Sequence, residues 1–324
     1  MVDLPFVTVD VFTDTKYFGN PLAIVHVDQG VALTGDQKQK IAKEFNLSET
    51  VFVHKLDSAE NEVKIDIYTT TQELHFAGHP TIGAGTHILS SRPSKPSEQN
   101  QRKLTLITLA GKVPVTYSSS SGLTRLEVPH DITVHPTPIS RVAIADAIGL
   151  GGDMESIISN VPFPNQQDGV VAVSIVKGMT FALVKLASLE TLSKAKPTGI
   201  RLNPAIAGLH GGGESSVAFL GVYLYCVTGE EKDVNESIVL AKKITIQSRM
   251  IAGSLEDPAT GSAASSLSSF LTLTSEVEGI HRFVITQGVE MGRKSDILGT
   301  FSDLCTLVTL GSYLTIPQLM WFQS

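Results

Sequence analysis

Two segments of the same construction, one in each half of the chain, most constrain the fold. The first is FAGHPTIGAGTHIL, residues 76–89, and the second is EDPATGSAASSL, residues 256–267. Each is a turn with glycine and proline that leads from a strand-like run into a helix of small and apolar residues. A chain that does this once per half, with strands between, is expected to form two similar α+β domains. We expect them at 1–125 and 126–324, with the final strand allowed to return to the first domain.

Strand-like and helical runs surround both segments in a similar order. In the first half, LPFVTVDVF and NPLAIVHV precede the helical pattern TGDQKQKIAKEF, for which Thr34 or Asp36 can be the N-cap. KLTLITLAGKVPVTYS is typical of a hairpin that turns at Ala110–Gly111. In the second half, helices are predicted near ISRVAIADAIGL and SLETLSKA, and strands include SVAFLGVYLYCV. A further turn is predicted at Lys177–Gly178.

The two turns carry features of an anion-binding site. Gly78 has no Cβ, so a ligand can approach the backbone closely, and Pro80 suits a first helical turn. Helix N-termini offer N–H groups and the positive end of the dipole to an anion. Taken alone, each turn is better explained as an ordinary capped helix. Two in one chain, bringing His79 to one and Asp257 and Ser262 to the other, favour a cleft in which both helix N-termini hold a carboxylate.

A carboxylate stands at a third position of interest. In NLSETVFV, Glu49 follows an amphipathic helix and enters an apolar strand. It can be a solvated side chain at a helix end. Alternatively, it lies against Val51 and Phe52, where desolvation would raise its pKa toward neutrality and let it take and return a proton.

Composition excludes several classes of partner. The net charge of -7 argues against nucleic acid or an anionic membrane, since both need a basic face. No apolar stretch approaches the roughly 18 residues that span a bilayer, and the N-terminus MVDLPFVTVDVF lacks the basic start of a signal peptide. Cys226 and Cys305 form neither a disulfide framework nor a CxxC metal pair. We therefore expect a cytoplasmic protein without nucleic-acid or membrane partners.

Other motifs are weak. His75 and His79 stand four apart, but glycine and proline between them interrupt any helix, so no metal site is expected. GLHGGGES, residues 208–215, lacks the Lys-Ser/Thr ending of a phosphate loop and indicates a mobile loop instead. No GxGxxG or GxSxG motif is present at the turns. Arg249 and Arg293 could each meet a substrate acid or form a structural ion pair.

Five motifs together carry a family resemblance. GNPLAIV, NLSETVFV, ELHFAGHPTIGAG, EDPATGSA and QGVEMGR occur in that order over residues 19–293. In this order they resemble the PhzF family of phenazine-biosynthesis-like isomerases, within the diaminopimelate-epimerase-like group, over nearly the whole chain. The resemblance implies two similar domains, each a β-barrel-like sheet wrapped around a central helix, with the active site in the interdomain cleft. It also implies proton chemistry without metal or cofactor, commonly in a homodimer.

The resemblance also implies residue roles. Glu49 would be the acid/base that moves a proton between carbons of a small carboxylate-bearing substrate. The side chains that would orient the substrate and assist transfer are His79, Asp257 and Ser262. The substrate would be bound by Gly78, Thr260 and Gly261. The two glycines would bind it through their backbone.

Some positions depart from the family pattern. Diaminopimelate epimerases carry a pair of cysteines as acid and base at the two turns, where this chain has His79 and Ser262, so two-base racemisation is disfavoured. His75 stands where a proline is common, GRKS replaces the usual GRPS, and the approach RMIAGSLEDP is short, as in fungal relatives. Substrate identity therefore stays open. The alternatives are an epimerase or dehydrating variant, and a family member that binds without catalysis.

Overall fold

The fold is described from a computed structural model of the 324-residue chain. The described residues are 3–54, 61–93, 100–128, 131–162, 169–176, 179–202, 219–231, 240–302, 308–312 and 314–318. The chain divides into two compact units, one that runs to Val128 and resumes at Thr309, and one from Pro129 to Val308. The predicted turn at Lys177–Gly178, the glycine-rich segment 208–215 and Cys305 lie outside the described residues.

The first unit is a curled sheet with two helices. Its strands are β1 (Phe6–Val11), β2 (Asn20–Val27), β3 (Thr50–His54), β4 (Glu62–Tyr68), β5 (Glu73–Leu74), β6 (Gln101–Thr108), β7 (Gly111–Ser118) and β8 (Thr124–Glu127), and its helices are α1 (Gly35–Phe45) and α2 (Gly78–Ser91).

The second unit contains the following elements. They are β9 (Thr133–Val134), α3 (Arg141–Ala147), β10 (Ile157–Ile158), β11 (Val171–Val176), β12 (Met179–Leu186), α4 (Leu189–Lys194), β13 (Phe219–Glu231), β14 (Leu240–Ala252), β15 (Leu255–Asp257), α5 (Gly261–Leu273), β16 (Ile280–Gln287) and β17 (Ser295–Ser302). Two last strands, β18 (Val308–Ser312) and β19 (Leu314–Gln318), return to the first unit, where β18 pairs with β8 and β19 with β1.

Each sheet wraps around one central helix. In the first unit, α2 is buried along most of its length and contacts β1, β2 and β3 as well as β6, β7 and β8, which lie toward opposite ends of the strand order. In the second, the buried helix α5 contacts β11 and β12 as well as β16 and β17. A sheet whose two ends touch the same helix must curl around it. The predicted architecture of a barrel-like sheet around a central helix is therefore confirmed.

Gly83 and Gly85 let the first sheet close on α2. A Cβ on Gly83 would lie 2.5 Å from a methyl of Leu22, and one on Gly85 would lie 2.8 Å from a methyl of Val115. The helix is packed this tightly because two of its positions carry no side chain.

The two units repeat one pairing pattern. β1–β2, β3–β4, β4–β5 and β6–β7 are antiparallel, while β2–β3 and β4–β6 are parallel. The second unit has the same series in β11–β12, β13–β14, β14–β15 and β16–β17, with β12–β13 and β14–β16 parallel. Parallel neighbours need a crossover connection, and α1, α2, α4 and α5 lie in the four crossovers. The prediction of two similar α+β domains is confirmed.

Two local predictions are also confirmed, the N-cap of α1 and the β6–β7 hairpin. Thr34 is the N-cap of α1 and forms a capping box with Gln37. The hairpin β6–β7 turns between Thr108 and Gly111. No helix in the described part of the chain is long and apolar enough to cross a bilayer.

Candidate active site

Glu49 and His79 meet within the first unit. Helix α1 ends at Phe45, and its C-cap Asn46 adopts the left-handed conformation and donates its N–H to the carbonyl of Ala42. The chain then reaches β3 through a short connection that ends in Glu49, while His79 occupies the first turn of α2. Glu49 Oε2 lies 3.3 Å from His79 Nδ1, and the two side chains are 18% and 4% exposed.

Burial perturbs the Glu49 carboxyl. Desolvation raises its pKa from 4.5 to about 7, and a hydrogen bond from the Ser48 side chain opposes the shift. Oε2 is shielded from solvent and has no aligned hydrogen bond among the described residues. A buried carboxylate oxygen without such a bond is costly to keep ionised. The group is therefore poised to exchange a proton near neutral pH.

Ser48 is expected to tune this carboxyl. Its hydroxyl has one proton, which it can donate either to Glu49 or to the amide oxygen of Asn20, a buried residue at the start of β2, 3.3 Å away. Since the Ser48 hydrogen bond lowers the Glu49 pKa, Ser48→Ala should raise that pKa further. Carboxyl ¹³C NMR titration of the variant measures this, with the exposed Ser90→Ala as control. An unchanged or lowered midpoint for Ser48→Ala would contradict the assignment.

Neither central helix has a side-chain N-cap. Helix α2 starts after Ala77 and helix α5 after Thr260, and neither of these N-cap residues accepts a hydrogen bond from the first turn through its side chain. Two peripheral helices differ, because Thr34 caps α1 and Ser188 caps α4, whereas α3 also has no side-chain cap at Ser140. An ordinary capped helix, one of the two explanations left by the sequence, does not describe α2 or α5. A helix start without a side-chain cap is compatible with the anion binding that helix N-termini favour.

The second unit gathers the remaining predicted residues. Asp257 is the last residue of β15 and is buried, and Ser262 is buried in the first turn of α5 beside Gly261. Thr260 Oγ1 donates a hydrogen bond to Asp257 Oδ2 instead of capping the helix. The predicted residues thus form two groups, with Glu49, Gly78 and His79 in the first unit and the other four in the second.

Two buried residues near Asp257 carry no predicted role. Gln287, at the end of β16, donates from Nε2 to the carbonyl of Asp257 at 2.8 Å. Its Oε1 accepts from the hydroxyl of Tyr223 at 3.1 Å, and both side chains are inaccessible to solvent. Gln287 opens the motif QGVEMGR, which was one signal of the resemblance, but nothing in the sequence indicates its contact with Asp257.

Arg249 is committed to structural contacts. Its guanidinium makes a two-point ion pair with Glu256, at 2.7 and 2.8 Å. It also donates to the carbonyls of Leu192 and Ala195 at the end of α4, both at 2.8 Å. Of the two roles that the sequence leaves open for Arg249, the contacts favour the ion pair.

The repeat relates the two groups position by position. The helix starts align Gly78 with Gly261, so His79 corresponds to Ser262. Counting back four residues aligns Leu74 with Asp257. The two helix starts therefore carry different polar side chains, His79 in the first unit and Asp257 with Ser262 in the second.

The strand registers extend this alignment and show that a glycine of the second unit corresponds to Glu49 of the first. Tyr68 pairs with Glu73 and Thr50 in the first unit, as Ile251 pairs with Glu256 and Val222 in the second. Thr50 thus corresponds to Val222, and the residue before each is Glu49 in one unit and Gly221 in the other. A Cβ on Gly221 would lie 2.8 Å from the carbonyl of Ile251, so a carboxylate does not fit there.

In the part of the chain that the structure describes, no three His, Cys, Asp or Glu side chains converge as metal ligands. Cys226, on β13, is a buried free thiol.

Comparisons with known proteins give one consistent result. The profile of the phenazine biosynthesis-like protein family (PhzC-PhzF) matches residues 9–304. An uncharacterized isomerase of Mesorhizobium japonicum is 30% identical over 89% of this chain and 87% of its own length. The trans-2,3-dihydro-3-hydroxyanthranilate isomerase of Pseudomonas aeruginosa is 27% identical over 90% of this chain and 87% of its own. A PhzF-family protein of Bacillus anthracis has the same fold, with a TM-score of 0.73 at 18% identity over 98% of both chains.

Proposed function

The chain belongs to the phenazine biosynthesis-like protein family, and from that premise we propose that it is an isomerase that moves a proton between two carbons of a small carboxylate-bearing metabolite. The observation that carries the proposal is the Glu49 carboxyl, buried beside His79 with a pKa raised to about 7. Acid/base catalysis is most effective when the pKa of the group lies near the working pH, since the group must both accept and release a proton.

The proposed cycle begins with ionised Glu49. Its carboxylate removes a proton from a carbon next to an unsaturated or carboxylate system, which leaves an enolate-like anion on the substrate. His79, 3.3 Å from Oε2, holds the carboxyl in place as its charge changes. The uncapped first turn of α2, with Gly78, stabilises the developing negative charge through its N–H groups and dipole. Glu49, now protonated, returns the proton to a different carbon.

The second unit is proposed to bind the same substrate through Asp257, Thr260, Gly261 and Ser262. Asp257 and Ser262 orient polar groups of the substrate. The uncapped turn at Gly261 holds a carboxylate. In the second unit, the position that corresponds to Glu49 is Gly221, and the one that corresponds to His79 is Ser262, a poor base. A site with a single base supports isomerisation over two-base racemisation. The absence of a metal or cofactor from the reaction, the homodimer and the cytoplasmic location stay predictions.

Solvent deuterium incorporation tests the proposal. The probe is trans-2,3-dihydro-3-hydroxyanthranilate, the compound named for relatives at 27% and 28% identity. In D₂O, an isomerase should deliver deuterium to a carbon other than the one that lost its proton. Deuterium returned to the original carbon with inversion would favour an epimerase. Bound but unlabelled probe, recovered unchanged, would favour a binding protein and contradict the proposed reaction.

A further inference from the structure

A buried side-chain network lies behind the turn that carries Asp257. Gln287 is at its centre, with no solvent exposure. Its Nε2 donates to the Asp257 carbonyl at 2.8 Å and to Thr260 Oγ1 at 3.1 Å. Its Oε1 accepts from Thr260 N at 3.2 Å and from the Tyr223 hydroxyl at 3.1 Å. Tyr223 in turn lies 3.0 Å from Ser248 Oγ. Every polar atom of the glutamine amide is thus used.

The contacts fix the orientation of the Gln287 amide. A backbone N–H can only donate and a backbone carbonyl can only accept. Oε1 must therefore face Thr260 N, and Nε2 must face the Asp257 carbonyl. The reversed amide would set the Gln287 NH₂ against the Thr260 N–H and the Gln287 carbonyl against the Asp257 carbonyl, and these buried groups would lose their hydrogen bonds.

This orientation also fixes the direction of the Thr260 hydroxyl. Its oxygen accepts from Gln287 Nε2, so its single proton is left for Asp257 Oδ2. Burial raises the pKa of the Tyr223 phenol, so Tyr223 stays protonated and serves as the donor to Gln287. Hydrogen bonding therefore runs in one direction, from Tyr223 through Gln287 and Thr260 to the Asp257 carboxylate.

The first unit holds its corresponding turn in another way. The strand registers align Gln287 with Thr108. Thr108 lies in the tight hairpin that ends at Gly111, and the N–H of Ala110 in that hairpin donates to the His75 carbonyl at 3.1 Å. The second unit has replaced this hairpin with a longer connection between Gln287 and Ser295, and its turn is held by the glutamine side chain.

Gly288 brings the longer connection against the turn. It has a φ of +75°, and a Cβ there would lie 2.7 Å from the carbonyl oxygen of Pro258, the residue after Asp257. A side chain is therefore excluded both by the backbone conformation and by the contact. Gln287 and Gly288 act together, one through hydrogen bonds and one through close approach.

We infer that Gln287, supported by Tyr223, is a positioning residue that presents the Asp257 carboxylate and the first turn of α5 in a single orientation toward the substrate. The catalytic consequence rests on the proposed function. The hydrogen-bond arrangement itself does not, and it can be measured without a substrate.

The test compares Gln287→Met, which keeps the length of the side chain but none of its hydrogen bonds, with Tyr223→Phe. Gln39→Met is the matched control, because Gln39 Nε2 also donates to a backbone carbonyl, that of Thr69 at 2.8 Å, away from Asp257. Native-state hydrogen exchange of the Thr260 amide is the first readout, with Ile285 in β16 as the internal reference. Turnover of trans-2,3-dihydro-3-hydroxyanthranilate is the second.

Gln287→Met should speed exchange at Thr260 by at least ~10-fold more than at Ile285, since the Thr260 N–H loses its acceptor. It should also lower kcat/KM by at least ~10-fold, the scale expected of a misplaced binding group. Tyr223→Phe should have smaller effects in the same sense, because the glutamine keeps its bonds to the turn. Gln39→Met should change neither readout.

Equal acceleration at Thr260 and Ile285 would overturn the inference, because it would show a purely global loss of stability. Unaltered exchange at Thr260, or wild-type turnover by Gln287→Met, would overturn it as well. If Gln287→Met does not fold, Tyr223→Phe decides the same comparison. Failure of the wild-type protein to convert the probe would count against the proposed function, while the exchange measurement would still decide the role of Gln287 in holding the turn.

Discussion

Glu49→Gln should lower turnover by at least ~100-fold, the usual contribution of one acid/base group. The amide has the shape of the protonated carboxyl but cannot accept a proton at neutral pH. Substrate binding should survive, because the uncapped helix turns are unchanged. The measurement is kcat for the probe compound beside Glu44→Gln, which alters an exposed glutamate on α1. Near-wild-type turnover by Glu49→Gln would refute the role of Glu49.

The same variant should be more stable than the wild-type protein at alkaline pH. Between pH 4.5 and about 7, the carboxyl is protonated in the folded chain and ionised in the unfolded chain. Folding then takes up a proton, so this group's contribution to stability is present below about 4.5 and is lost as the pH rises through about 7. Gln does not ionise, so the gain should reach up to about 3 kcal/mol near pH 8 and be small near pH 5. Denaturant unfolding of both proteins at the two pH values measures it, and a pH-independent difference would contradict the raised pKa.

Arg249→Met should destabilise the folded protein by about 3–5 kcal/mol, as expected when one partner of a buried ion pair is removed. The Glu256 carboxylate, 10% exposed, would lose its counter-ion, and the carbonyls of Leu192 and Ala195 would lose their donor. The loss should be partly recovered in the double variant Arg249→Met, Glu256→Leu, because no buried charge is then left unpaired.

An exposed ion pair provides the control for Arg249. Lys194 and Glu190 on α4 lie 2.7 Å apart at the surface, and Lys194→Met should leave the unfolding free energy nearly unchanged, because solvent screens an exposed ion pair. Equilibrium unfolding measures all three variants. If Arg249→Met kept full stability and lost only activity, Arg249 would contact the substrate instead of Glu256.

The sequence predicts those features that depend on local chemistry. The starts of α2 and α5 follow from turns with glycine and proline that lead into small apolar helices, and the N-cap of α1 is Thr34, one of the two candidates that the sequence offers. A raised pKa for Glu49 is one of two alternatives that the sequence offers, because the apolar Val51 and Phe52 lie two and three positions after it. The two-domain architecture follows from the repeated order of strands and helices.

Contacts between distant strands could not be predicted, because no local pattern encodes them. Gln287 meets Asp257 only through the parallel pairing of β16 with β14 and the return of β15. The repeat is also hard to see in the sequence, because one pair of corresponding buried positions carries side chains of opposite charge. The registers align Arg249 with Asp66, which is buried and pairs with Lys38 and His54 in the first unit. Corresponding positions of the two units thus hold a buried carboxylate in one and a buried guanidinium in the other, each with its own ion-pair partner. Sequence similarity between the halves is lost at such positions.

The central claim is that the Glu49 carboxyl is held at the threshold of ionisation near neutral pH. Carboxyl ¹³C NMR titration of the wild-type protein tests it directly, with the Glu49 resonance assigned by its disappearance in Glu49→Gln. A midpoint near 7 is the predicted result. A midpoint near 4.5, the ordinary value for a glutamate, would show that this side chain is a solvated carboxylate and would contradict the proposed mechanism.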